Sequence, residues 1–296
     1  MNAFNFPLSS RKSAKIFLTA LSCSQAMMTI LDEALGIRDE ISEMAAHPLA
    51  GGLLHLGWQC GMTWGASLSA GNYIHRKYGF SSASIEFVLV TSSKLVLSLS
   101  QKAGSHICRE ITQCDFKSFS GKIKYIFTGK GANCAKLAVS WAPQAYSLIC
   151  SISLSLPDEN PKVFNCCAVK LAQMLNAKQN EQLMVAGFSG GLGLSGGACG
   201  ALATAIWLKT LNWLRKSNKK TDSFFMALRR ELTQSGNFYP ELKSIQKQFE
   251  SLNKSYLCKD IVGRNFSSLD DHREFIASGG CSEVLSLLEK TFKQCQ

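Results

Sequence analysis

Residues 49–62 read LAGGLLHLGWQCGM and residues 188–201 read FSGGLGLSGGACGA. Laid over one another without a gap, the two share Gly51/Gly190, Gly52/Gly191, Leu53/Leu192, Gly57/Gly196, Cys60/Cys199 and Gly61/Gly200. Working outward, Cys108-Arg-Glu-Ile recurs as Cys258-Lys-Asp-Ile, Cys23 stands opposite Cys166 or Cys167, and Cys134 stands opposite Cys281. Each half thus carries a cysteine, a glycine pair, a Cys-Gly step and two further cysteines in one order. Self-similarity on this scale fixes the architecture ahead of any propensity. It predicts two like domains, 1–153 and 162–296, joined by a polar linker at 154–161 that holds Pro157 and Pro161. A chain of 296 residues suits two such domains, each with enough apolar residues to bury its own core. Packed on each other they would form an intramolecular pseudo-dimer, as a duplicated homodimer would leave behind.

The elements read as helices, because apolar residues recur at spacings of three and four throughout. The pattern predicts helices over 13–35, 39–46, 58–78 and 134–149 in the first half. In the second it predicts 162–175, 180–186, 198–214, 221–234, 239–252 and 281–292. Residues 84–101 are β-branched around Phe87-Val-Leu-Val, yet the apolar pattern runs on through Leu95, Leu97 and Leu99 and favours helix. Gly36, Gly79 and the break at His47-Pro48 act as stops. Short alternating runs between turn residues are nearly absent, so the class is all-α, each domain having a glycine-rich loop that leads into a cysteine-bearing helix.

Charge and termini exclude several roles. The formal net charge is +11, but the excess is dispersed, and its densest run, residues 215–220, lacks the interleaved aromatic residues that base stacking wants. We expect a solvated basic surface and no nucleic acid. Arg11, Lys12 and Lys15 ahead of an apolar run ending at Cys23 imitate a lipoprotein signal. That run is short of the usual length, and Cys23 has a counterpart mid-chain, so the expectation is a cytoplasmic protein. Residues 182–208 carry no charge, and residues 44–74 carry none apart from His47 and His55. Both are long enough to span a bilayer, but glycine clusters interrupt them, and bent backbone cannot face lipid unsatisfied. Membrane contact is therefore not favoured.

Gly191-Leu-Gly193-Leu-Ser-Gly196 spells G-x-G-x-x-G. A dinucleotide site needs a strand before it and an acidic residue about twenty positions on. Here a helical pattern precedes it, Leu211-Asn-Trp-Leu follows at that distance, and the first repeat keeps too few of the glycines. A better account starts from the helix that follows each loop. Free N–H groups and the positive end of the helix dipole at Cys60 and Cys199 would lower a thiol pKa and make the sulfur a nucleophile or ligand. Gly61 and Gly200 would let the backbone crowd against whatever the sulfur holds.

These residues resemble the redox-active family named for its pattern C_GCAxxG_C_C. The second repeat carries the likeness in Cys167-Ala168, Gly187-Phe-Ser-Gly-Gly-Leu-Gly193, Cys199-Gly-Ala201, Cys258-Lys-Asp-Ile-Val-Gly263 and Gly280-Cys281. The first carries it in Cys23-Ser-Gln-Ala26, Gly51-Gly52, Cys60-Gly61, Cys108 and Cys134. Together they cover nearly the whole chain. Met62 replaces the motif's alanine in one repeat and Thr204 its glycine in the other. Between Cys166 and Cys167 the latter is preferred, because Leu171 and Leu175 then fall opposite Met27 and Leu31. The resemblance implies a helical domain with a redox role. A similar domain occurs in the split-Soret type of cytochrome c, but no CxxCH stands here, so haem is not implied.

Two sets of four cysteines follow as candidate metal ligands: Cys23, Cys60, Cys108 and Cys134, and Cys167, Cys199, Cys258 and Cys281. Gly51, Gly52, Gly61, Gly190, Gly191 and Gly200 are the candidate cofactor-binding glycines. Four thiolates suit an iron–sulfur cluster for electron transfer with a separate redox partner, and this is the favoured reading. They also suit a two-disulfide relay. Structural zinc ranks lower, because its ligands usually come in local pairs, and a helical protein associated with a membrane transporter is a further alternative. Cys114, Cys150 and Cys295 have no repeat partners and read as ordinary thiols. His47 and His55 have none either, and no carboxylate pair accompanies the cysteines, so hydrolytic catalysis is unsupported.

Overall fold

Ser22, with an extended backbone (φ −140°), caps the helix Cys23–Leu35 by accepting from the Gln25 N–H at 3.5 Å, and Gly36 ends it at φ 70°. The single helix expected over 13–35 is thus two, Ser10–Ala20 and Cys23–Leu35. The break places Cys23 on a first helical turn. The computed structural model describes residues 5–20, 22–151, 166–217 and 240–294. The linker at 154–161, the helix expected over 221–234 and Cys295 lie outside the described residues.

The first half continues through Glu40–Ala45, a 3₁₀ turn at His47–Leu49, Gly61–Tyr78, Ser82–Ala103, Cys108–Thr112, Phe119–Phe127 and Lys130–Cys150. The second runs Cys167–Met174, Gln179–Ala186, Gly200–Ser217, Pro240–Leu252, Cys258–Val262, Leu269–Ala277 and Ser282–Gln294. No strand occurs among the described residues. Two isolated antiparallel bridges do, Gln59 with Ile107 and Ala198 with Leu257, one in each repeat. They explain why the helices after the glycine loops start at Gly61 and Gly200 rather than at 58 and 198: the intervening residues are extended and paired.

The halves pack as a pseudo-dimer. Gly61–Tyr78 of the first lies on Gln179–Ala186 of the second, while Gly200–Ser217 lies on Glu40–Ala45. These are the same two elements of the repeat, exchanged. Trp64 meets Phe188 edge-on at 4.8 Å, a geometry worth about 0.5–1.5 kcal/mol beyond burial. Trp207 Nε1 donates to the Ser42 carbonyl at 3.3 Å across the same boundary.

The expectation of a self-sufficient core in each half needs correction. The first half has its own cluster around Met27, Ile30 and Trp141. The largest cluster instead joins Met28, Leu49, Trp64 and Leu68 to Phe188, Leu202 and Trp207, so the interface is the core of the second half. The two uncharged runs flagged for membrane length are loops and buried helices. Among the described residues, the helix long and apolar enough to cross a bilayer is Ser82–Ala103, and 56% of its apolar 18-residue stretch is buried.

Candidate functional site

Each glycine loop folds as a left-handed turn. Residues 51–55 all have φ between 51° and 76°, and residues 190–194 between 60° and 80°. An L-residue in this region costs about 1–2 kcal/mol, and Leu53, Leu54 and His55 all occupy it. In the second loop Gly193 relieves one of the three. The hydrogen bonds repeat as well: Gly57 N–H to Gly51 O at 2.9 Å and Gly196 N–H to Gly190 O at 3.0 Å. A side chain at Gly52 would strike the Trp58 backbone, which is why the glycine pair is needed. Gly51, Gly190 and Gly191 serve the same turn, so the loop's own folding accounts for these four candidate glycines.

The turn delivers the chain to the bridge, and the bridge brings two cysteines together. Cys60 N–H donates to His106 O at 2.8 Å and Cys108 N–H to Trp58 O at 2.6 Å. In the second half Cys199 N–H donates to Tyr256 O at 2.8 Å and Cys258 N–H to Gly197 O at 2.6 Å. The first cysteine of each set opens a helix, Cys23–Leu35 or Cys167–Met174, and the fourth enters at the start of the last helix of the half. Cys134 sits inside Lys130–Cys150, whereas Cys281, at φ 61°, directly precedes Ser282–Gln294.

All eight expected cysteines are thereby gathered into two sites. Cys60 feels the charge of Cys23, Cys108 and Cys134, and Cys258 that of Cys167, Cys199 and Cys281. Cys167, Cys199, Cys258 and Cys281 line one cavity with Gly200, Ala201, Phe266 and His272. Cys166 packs elsewhere, among Ile85, Val88, Leu183 and Ala186. Gly61 touches the first site directly, since a Cβ there would run into the Cys23 sulfur.

The expected lowering of thiol pKa does not occur. Burial raises Cys60 well above its ordinary value, and the neighbouring thiols add to it. Burial likewise pushes Cys199 up to about 12. The N–H groups of the helix start do reach these sulfurs, Met62 on Cys60 and both Ala201 and Leu202 on Cys199. They lose to desolvation, because a buried thiolate without a cation beside it is costlier than a few N–H dipoles can offset.

Four residues at the sites escaped the sequence. Cys114 is buried beside Cys108 and Phe116 and feels both Cys108 and Cys134, so the first site has a fifth thiol. The Thr112 hydroxyl donates to the Cys108 carbonyl at 2.8 Å, and Tyr125, packed edge-on against Phe116 at 5.0 Å, lies within electrostatic reach of Cys134. His272, 1% exposed, lines the second cavity with no hydrogen-bond partner on Nδ1. Burial lowers its pKa to about 4, so it is neutral near pH 7. Tyr125 and His272 lie on Phe119–Phe127 and Leu269–Ala277, nine-residue helices capped by Ser118 and Ser268. Those matched serines, 150 positions apart, were the available signal.

The donor set agrees in kind with an iron–sulfur group, being cysteines without a carboxylate. Its spacing is not that of a mononuclear site. Among the described residues, no three His, Cys, Asp or Glu side chains stand as ligands for one ion. The cavity at the second site measures about 10 Å³, room for about one water.

The family model described as "Putative redox-active protein (C_GCAxxG_C_C)" matches this chain twice, at residues 21–147 and 164–293. Comparison with curated proteins and with solved structures gives no match.

Proposed function

The chain belongs to the redox-active C_GCAxxG_C_C family along both of its halves, and from that premise we propose that each half is an electron-transfer site whose four cysteines hold an iron–sulfur or related metal group and serve a separate redox partner. One observation carries the reading. In each half four thiols from four different elements converge, and Cys60, Cys108, Cys134, Cys167, Cys199 and Cys258 are all 4–8% exposed. Thiol–disulfide exchange needs accessible thiolates in electropositive surroundings. Buried sulfurs among apolar side chains are poor in that chemistry and well suited as ligands, because a metal supplies the missing positive charge. Such a group would be held by Cys23, Cys60, Cys108 and Cys134 in the first half and by Cys167, Cys199, Cys258 and Cys281 in the second, and would supply one-electron chemistry there.

The relay reading has its own support in the second cavity's small volume and in the fifth thiol, Cys114, beside Cys108 and Cys134. Purification without oxygen separates the two. Brown protein with iron and acid-labile sulfide, halved by C60S or by C199S, is the expected result. Colourless, iron-free protein with paired half-cystines overturns the metal reading and leaves the relay.

A further inference from the structure

The helix Phe119–Phe127 packs beside the first group of cysteines through Tyr125, which lies against Cys108, Cys114 and Phe116. Leu269–Ala277 meets the second group through His272. Both helices are nine residues long, follow a capping serine, Ser118 or Ser268, and have a left-handed glycine two residues past their end, Gly129 or Gly279. Position therefore matches position, and the outer faces can be compared directly.

Those faces have diverged. On the first helix Phe127 is 82% exposed and Ile123, one turn before it, 41%. Residues four apart share a helix face, so the two form one apolar patch. At the matching places of the second helix stand Arg273 and Ala277, and the patch belongs to the first half alone.

Charge has diverged with it. Residues 115–136 hold five lysines against one carboxylate, Asp115, whereas the corresponding stretch 265–283 holds four carboxylates against one arginine. Lys117, Lys124 and Lys136 are exposed and Lys130 is half-buried. Among the described residues none of these four pairs with a carboxylate. Lys124 Nζ donates to the neutral Gln113 carbonyl at 3.0 Å, which leaves its charge uncancelled. Exposed aromatic and aliphatic side chains among charged ones make the anatomy of a transient protein interface, and the sign of the charge selects an acidic partner. A bilayer would ask for a longer apolar face than two side chains.

We propose that this face of the first half, Ile123 and Phe127 with Lys117, Lys124, Lys130 and Lys136 around them along the chain, docks an acidic electron-carrier protein. The second half, acidic at the matching place, turns the same carrier away. That the docked protein exchanges electrons with the cysteines behind Tyr125 rests on the reading of the sites as redox centres; the docking itself does not.

Isothermal titration calorimetry of the full chain against a plant-type ferredoxin, an acidic one-electron carrier, tests this. One ferredoxin should bind per chain at low salt, and affinity should fall about tenfold between about 20 and about 200 mM salt. K124E and F127S should each weaken binding about tenfold, while E274K, on the other helix, should leave it unchanged. These are exposed positions, and circular dichroism checks that the fold is kept. No binding at low salt, two ferredoxins per chain, or binding that K124E and F127S leave unmoved overturns the proposal. So does the finding that the same two variants abolish adsorption to phosphatidylserine vesicles, or self-association, and not ferredoxin binding. Calorimetry reads docking without reading electrons. An iron-free chain that binds as expected keeps the docking and loses the metal reading; an iron-loaded chain that does not bind loses the docking alone.

Discussion

The side-chain carbonyl of Gln59 accepts a 2.7 Å hydrogen bond from the backbone N–H of Ala198, and these two residues occupy the same position in the two repeats. The pseudo-twofold axis thus passes between them. The Gln59 amide also reaches Gly191 O at 3.3 Å and the Ser195 hydroxyl at 3.4 Å, so it fills the mouth of the second glycine loop, where a side chain on Gly197 would overlap it. A symmetric dimer cannot put a long side chain and a methyl at one axial position. A duplicated chain can, and here the next residue on either side is a site cysteine.

Replacing Gln59 by leucine should therefore leave the Ala198 N–H buried without a partner and cost about 1–3 kcal/mol. Urea denaturation followed by circular dichroism measures it. Unchanged stability in Q59L would show that the axial bond is dispensable.

Gly61→Ala should empty the first site selectively, since the added methyl meets the Cys23 sulfur and overpacking of this kind costs about 1–3 kcal/mol. On the proposed metal reading, iron and sulfide per chain should fall by about half. Full content in G61A would mean that the Cys23 sulfur can move aside.

Cys167 and Cys166 are neighbours in sequence, but only Cys167 lines the second cavity. On the proposed metal reading, C167S should halve the iron and sulfide per chain, whereas C166S should keep both with at most a modest loss of stability. The reverse order would reassign the ligand.

Asp32 is wholly buried and accepts from Asn72 Nδ2 at 3.2 Å. Burial raises its pKa to about 8, with Glu43 and Asp39 adding to it. The native state thus holds a proton that the unfolded chain releases near pH 4. Its contribution is fully present below that pH, and stability falls as pH rises from about 4 to about 8. Asp32→Asn should remove this slope and be the more stable protein at pH 8. A stability profile in D32N parallel to that of the parent chain would rule the group out.

The repeated GlyGly…CysGly stretch made the two-part organisation and the grouping of cysteines legible in the sequence, and apolar spacing at three and four residues did the same for the helical class. What stayed hidden depends on contacts far apart in sequence. The bridge between Gln59 and Ile107 has no local signature, since one residue pair carries no period. Tyr125 and His272 sit three residues apart in register, so aligning the repeats did not reveal them. Cys114 lacked a partner and was read as ordinary, although it packs beside Cys108. The thiol pKa failed for a physical reason: helix polarity can be read from a sequence, but the depth at which a sulfur is buried cannot.

The shared core has a further consequence. Leu49 and Trp64 on one side and Phe188 and Trp207 on the other belong to a single apolar cluster. A fragment cut at the linker would therefore expose what should be its interior. For the second half the repeat is a unit of ancestry rather than a unit of folding, and its site depends on the first half standing behind it.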